Sequence, residues 1–170
     1  MAVLPERDFG EIVRQHQAMV FSIAYHLLHD RAAAEDVAQE VFLQLHTNIA
    51  AMKSPEHLLF WLRKTSVHRA IDFSRHRVQH ASLDDVPEPA ADVEHGDPVL
   101  SARLRKLVAS LPEKPRAVMV LRYQEDMEPE EIARVLDMPI NTVKSHLQRS
   151  LAMLRDKLTR VLGECAYESR

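Results

Sequence analysis

The sequence predicts an all-α fold: two small helical domains joined by an acidic, flexible linker, with a helix-turn-helix in the C-terminal one. Three observations lead there. Apolar residues recur at intervals of three and four along most of the chain, the period of a helical stripe. Only three of the 170 residues are glycine, too few for a turn-rich β fold. Proline follows a capping residue at several points, as in Ser54-Pro55, Asp97-Pro98 and Glu128-Pro129, which marks helix starts.

The N-terminal half reads as three helices. The first carries Phe9, Ile12, Val13, His16, Val20, Ile23 and Leu27 on its inner side, with Asp8 as its cap. Asp30 caps the second, whose apolar side is Ala34, Val37, Ala38, Val41, Phe42 and Leu45. Ser54-Pro55-Glu56 opens the third, with Leu58, Leu59, Trp61, Leu62, Ala70, Ile71 and Phe73 inside. Between Ser82 and Pro98 no period is visible. Six acids (Asp84, Asp85, Glu88, Asp92, Glu94 and Asp97) stand there without a Lys or Arg, among Pro87, Pro89 and Gly96. Such a stretch repels itself and extends as a linker.

The C-terminal half opens at Asp97-Pro98 with Leu100, Leu104, Leu107 and Leu111 at helical spacing. Pro112 and Pro115 break the chain and start a helix through Val118, Leu121 and Arg122. Glu128-Pro129-Glu130-Glu131 starts another, holding Ile132, Val135 and Leu136, and Asp137-Met138-Pro139 makes a turn. The last helix, from about Ile140, buries Val143, Leu147, Leu151, Leu154 and Leu158. The domains are therefore placed at 1–80 and 98–162, with the linker at 81–97 and a frayed tail at 163–170.

Composition excludes several classes. The net charge is −3, from 22 Lys plus Arg against 25 Asp plus Glu, so the chain is not a uniformly basic nucleic-acid coat. The single cysteine, Cys165, permits neither an intramolecular disulfide nor a cysteine-rich zinc module. Glu6, Arg7 and Asp8 stand where a secretory signal needs apolar residues. The longest mostly apolar run, Ala18 to Leu28, is too short to cross a bilayer. A cytoplasmic protein with no membrane insertion is expected. His26 and His29, and His76 and His80, have ligand spacings, but no further Cys or His completes either pair, so no metal and no cofactor is expected. No Ser or Cys sits in a nucleophile context, and no catalytic residue is assigned.

Charge is distributed locally. A short helix, a tight turn and a longer helix form the helix-turn-helix pattern. The outer side of the last helix carries Asn141, Thr142, Lys144, Ser145, Gln148 and Arg149, groups that donate to base edges and phosphates. From Pro139 to Arg160 five basic residues (Lys144, Arg149, Arg155, Lys157 and Arg160) face Asp156 alone, a local +4. On pattern alone this is a DNA-reading helix or the solvated face of a helical hairpin. A second basic segment runs from Phe60 to His80, where Arg63, Lys64, Arg69, Arg75 and Arg77 outnumber Asp72. Basic groups interleaved with aromatics suit a single strand, although Trp61 and Phe73 are expected in the core. The second helix is instead acidic, with Glu35, Asp36, Gln39, Glu40 and Gln44 on its polar side. That side either keeps the chain soluble or meets a protein.

Asp30-Arg-Ala-Ala-Ala-Glu-Asp-Val-Ala-Gln-Glu-Val-Phe-Leu-Gln-Leu-His46 resembles the signature by which sigma-70-type factors of the extracytoplasmic-function (ECF) group bind RNA polymerase. Phe60-Trp-Leu-Arg-Lys-Thr-Ser-Val-His-Arg-Ala-Ile-Asp-Phe-Ser-Arg75 is similar to the segment that opens and reads the −10 promoter element. Leu111-Pro-Glu-Lys-Pro-Arg-Ala-Val-Met-Val-Leu-Arg-Tyr123, Glu130-Glu-Ile-Ala133 and Asn141-Thr-Val-Lys-Ser145 resemble the region that reads the −35 element. The resemblance covers roughly residues 8 to 160. It departs at His68, where Asn is usual, at Asp137 for a turn glycine, at Pro139 for a capping Ser, and at His146 for a frequent Arg.

The resemblance implies a sigma factor that binds RNA polymerase core and directs promoter recognition, melting and initiation. It is not itself an enzyme. Asp36, Gln39 and Glu40 would dock on the polymerase. Arg63, Lys64, His68, Arg69 and Arg75 would hold the single-stranded −10 element, and Asn141, Thr142, Lys144, Ser145, Gln148 and Arg149 the duplex −35 element. The acidic linker would thread the RNA exit path, and an anti-sigma factor would be a partner. The alternative is a stand-alone helix-turn-helix transcriptional regulator.

Overall fold

The computed structural model describes residues 9–80 and 98–168. The acidic segment with its six carboxylates and the caps expected from Asp8 and Asp97 lie outside the described residues. The chain divides into two compact units, Met1–Ala91 and Asp92–Arg170. Every regular element among the described residues is helical.

The first unit holds α1 (Phe9–Leu28), α2 (Arg31–Asn48), a 3-10 turn (Ile49–Ala51) and α3 (Pro55–His80), each α-helix packed on the other two. Its starts and stops have local causes. His29 adopts φ 51°, and its amide bonds the Tyr25 carbonyl at 2.7 Å, which ends α1. Asp30 is extended, and its Oδ1 accepts from the Ala33 amide at 3.1 Å to start α2. Ser54 Oγ accepts from the His57 amide at 3.1 Å, and Pro55 supplies the first position of α3.

The core of this unit is Ile12, Val20, Ile23, Leu27, Ala34, Val37, Val41, Leu45, Leu58, Leu62, Val67 and Ala70. Ser66 is fully buried among them, its hydroxyl donating to the Leu62 carbonyl at 2.7 Å. Trp61 and Phe73, expected in the core, are only half-buried, as are Leu59 and Ile71. The wall that α1 and α2 offer α3 is filled by Leu58, Leu62, Ser66, Val67 and Ala70, so the larger rings lie at its margins.

The second unit holds α4 (Pro98–Ala109), α5 (Glu113–Tyr123), α6 (Pro129–Val135) and α7 (Ile140–Glu168). Leu111, Ala117, Val118, Leu121, Met127, Ile132, Val135 and Val143 form its core. Arg116 closes the end of α4: its Nη2 donates to the carbonyls of Ala109 at 2.6 Å and Leu111 at 2.8 Å. Burial draws this guanidinium below its ordinary value, against the opposing charge of Glu113. Arg122 Nη1 bonds the Met127 carbonyl (3.0 Å) and Glu128 Oε1 (3.1 Å), bracing the bend before α6. The Glu128 amide donates to Glu131 Oε2 at 3.0 Å, which satisfies an end of the seven-residue α6.

Two expectations are corrected here. Leu104, at helical spacing with Leu100, Leu107 and Leu111, is 47% exposed. On α7 only Val143 of the expected five is buried; Leu147, Leu151, Leu154 and Leu158 are half-buried, and Ser150 is enclosed instead. At 29 residues, α7 is about 43 Å long, more than α4 to α6 can cover. It also continues through Glu168, past the start of the expected tail.

No described helix is long and apolar enough to cross a membrane. Among the described residues no three His, Cys, Asp or Glu side chains gather as a metal site would need.

Candidate functional site

The acidic side of α2 presents Asp36, Gln39 and Glu40 to solvent. Ala33, Ala34, Val37 and Val41 turn the opposite way, into the core, which fixes that orientation. Beside the acids lies a feature the sequence reading missed. An apolar groove of about 960 Å³ runs between α1 and α2, walled by Phe9, Val13, Phe21, Phe42 and Leu43 and bordered by Gln39. Leu43 is 70% exposed. Its position on the polar side of α2 is the one sequence signal that marked the groove.

On α3 the basic residues divide. Arg63, Lys64 and His68 are half-buried and Arg75 is exposed. Arg69 turns toward α2, where its Nη1 lies 3.1 Å from Glu40 Oε1. With the Gln44 amide oxygen facing it, Arg69 also donates to that oxygen from Nη2 and from Nε, the latter at 2.9 Å. Arg77 Nη1 lies 2.8 Å from Asp30 Oδ2. The structure thus brings Arg69 and Glu40 together, although they were expected to serve different ligands.

In the second unit, α6 and α7 form the expected helix-turn-helix. Asp137 takes φ 50°, the conformation for which a turn glycine is favoured. The Met138 amide bonds the Ala133 carbonyl at 3.0 Å, and the amides of Thr142 and Val143 bond the Pro139 carbonyl at 2.9 and 3.1 Å. Val143, fully buried, anchors the start of α7. With that side inward, Asn141, Lys144, Ser145, Gln148 and Arg149 are exposed and Thr142 is half-buried. His146 is half-buried too. Burial holds its pKa below the ordinary value, with the charges of Arg149 and Lys114 adding to the effect. The shift favours the neutral imidazole over the charged one.

Comparisons with known proteins agree with this arrangement. The sigma-70 region 2 family model matches residues 12–79, and the sigma-70 region 4 model matches residues 101–154. The chain is 33% identical to an RNA polymerase sigma-E factor of Streptomyces antibioticus, over 95% of this chain and 91% of the relative. It is 32% identical to the ECF RNA polymerase sigma factor SigE of Mycolicibacterium smegmatis, over 99% and 67%. With the RNA polymerase sigma factor SigV of Bacillus subtilis it shares 27% identity, over 87% and 89%. Among solved structures, it resembles the sigma factor RpoE of Bartonella quintana, solved with the anti-sigma factor NepR (TM-score 0.73, 20% identity, 89% of this chain and 97% of that one). It also resembles CnrH in complex with the cytosolic domain of CnrY (TM-score 0.66, 20% identity, 89% and 88%). Region 2 is followed by region 4 along this chain, and with the ECF sigma factor matched at 32% identity the chain belongs to the ECF group of the sigma-70 family of RNA polymerase sigma factors.

Proposed function

We propose that this sigma factor docks on RNA polymerase core through α2, with Asp36, Gln39 and Glu40 as its polar contacts and the adjoining α1–α2 groove as the seat of a partner helix. A groove walled by aromatic and aliphatic side chains along two helices suits an amphipathic helix. Glu35, which lines it, and the exposed acids Asp36 and Glu40 on the same helix would favour a basic partner. Arg63, Lys64, His68 and Arg75 of α3 hold the opened −10 strand. Asn141, Thr142, Lys144, Ser145, Gln148 and Arg149 of α7 enter the −35 major groove. The polymerase performs the chemistry, and this chain, which is not an enzyme, supplies promoter choice in the cytoplasm. The similar factor solved with an anti-sigma factor supports such a protein as a second partner here.

The observation that carries this reading is the pairing, in one chain, of an acidic helix beside an apolar groove with a separate helix-turn-helix unit. A stand-alone regulator has no use for the first. Transcription with polymerase core on a promoter library tests it. The wild-type chain should direct initiation at a defined −35 and −10 pair, and Asp36→Lys should abolish that activity while keeping the fold. Tight, specific promoter binding by the chain without core would favour the stand-alone regulator.

A further inference from the structure

Three side chains of α3, four residues apart, lie along one edge of α2. Arg77 pairs with Asp30 at 2.8 Å. Phe73 and Asp36 line the same depression of about 450 Å³. Arg69 pairs with Glu40 at 3.1 Å and, through Nη2 and Nε, reaches Gln44. Arg69 therefore directs Nη1, Nη2 and Nε at α2. Although its side chain is 36% exposed, the charged end is spent on its neighbour.

We infer that Arg69 is a positioning residue for the polymerase-docking face of α2, and not a ligand of the promoter strand. The inference rests on the docking reading proposed above. A guanidinium is a planar fork with donors in fixed directions, so one Arg can set the rotamers of two acceptors at once. Glu40 and Gln44 are long side chains, four residues apart on the α2 surface, and each would otherwise lose rotamer freedom on meeting a partner. The fork removes part of that loss beforehand. A lysine ammonium at the same place supplies the charge but not the fork.

The test measures two affinities with the full-length chain: for polymerase core, and, in the resulting holoenzyme, for a single-stranded non-template −10 oligonucleotide at several salt concentrations. Arg69→Ala should weaken core binding about two- to fivefold, the range of a partly exposed ion pair. The salt slope for the oligonucleotide should stay unchanged. Arg69→Lys should recover part of the core affinity. Arg69→Ala combined with Glu40→Gln should lose less than the sum of the two single losses, because the fork and the carboxylate are coupled.

Gln44→Ala keeps Arg69 in place and covers the case in which Arg69→Ala misfolds. It should weaken core binding in the same direction at an unchanged melting temperature. Unchanged core affinity in the folded Arg69→Ala chain, or in Gln44→Ala where Arg69→Ala is misfolded, overturns the assignment. So does an Arg69→Ala salt slope lowered by about one, the mark of a lost phosphate contact. Wild-type core binding by Asp36→Lys would remove the docking reading itself, and the inference with it.

Discussion

Arg77 on α3 and Asp30 at the head of α2 meet at 2.8 Å, and the same carboxylate caps α2 through its other oxygen. One side chain thus starts a helix and ties it to another 47 residues away. The Ala33 amide holds the Asp30 carboxyl below its ordinary value of 3.8, Arg77 adds to this, and burial opposes it. Asp30→Ala should cost about 1–2 kcal/mol by thermal denaturation, and Asp30→Asn, which keeps a capping oxygen, about 0.5 kcal/mol. A carboxyl with a lowered folded-state pKa stabilises above its unfolded value, and that contribution is lost as pH falls through the folded one. The stability gap between wild type and Asp30→Asn should be constant from neutral pH to about pH 5 and shrink below about pH 4.

Arg116 makes a comparable closure in the second unit, against the carbonyls of Ala109 and Leu111. Arg116→Met preserves bulk but leaves two carbonyls without their donor. The cost should be about 1–3 kcal/mol in denaturant titration, and Arg116→Lys should not restore it, since an ammonium lacks the fork.

His68, one of the residues proposed to hold the −10 strand, is half-buried on α3. His68→Asn should change which −10 base the holoenzyme prefers, with little change in melting temperature. Competition among single-base variants of the promoter measures the first and calorimetry the second. A large stability loss with unchanged preference would show that the imidazole serves packing.

Lys144 and Arg149 are both exposed on α7 but stand five residues apart, about 140° around its axis. Lys144 lies in the first turns, nearest the groove in a helix-turn-helix. Lys144→Ala should cost about 1–3 kcal/mol on the preferred −35 sequence and relax discrimination there. Arg149→Ala should weaken all sequences alike and lower the salt slope by about one. Holoenzyme binding to variant −35 elements separates the two, and the reversed pattern would exchange the roles.

The helix starts at Asp30, Ser54 and Pro129 were legible in the sequence because their causes are local: a capping side chain or a proline a few residues from the group it serves. The helix-turn-helix was legible as a short proline-started helix, a turn at Asp137-Met138-Pro139 and a longer helix, and the structure adds that Asp137 takes φ 50° in that turn. What required the structure was which side of each helix meets which neighbour. Periodicity gives α3 a broad apolar arc, and only the width of the wall left by α1 and α2 shows that Ser66 and Val67 fill it while Trp61 does not. The five basic residues of that segment are equivalent in sequence. Only the pairing of α3 with α2 shows that Arg69 and Arg77 meet Glu40 and Asp30. The groove was hidden because Phe9, Val13, Phe42 and Leu43 come from two helices and show no joint pattern until those helices pair.

The brevity of α6 bears on the order in which a growing chain acquires its parts. Seven residues make less than two turns, well under the length at which a helix holds in water by itself. Ile132 and Val135 find their cover on α5 and α7, and α7 is the last of these to be made. On the ribosome, α1 to α3 can complete their mutual packing while α6 still lacks one of its walls. A newborn chain therefore completes α1 to α3 before α6 and α7, and, with the roles proposed for α2 and α7, an interruption of synthesis before α7 would leave a protein able to meet the polymerase and unable to read duplex DNA.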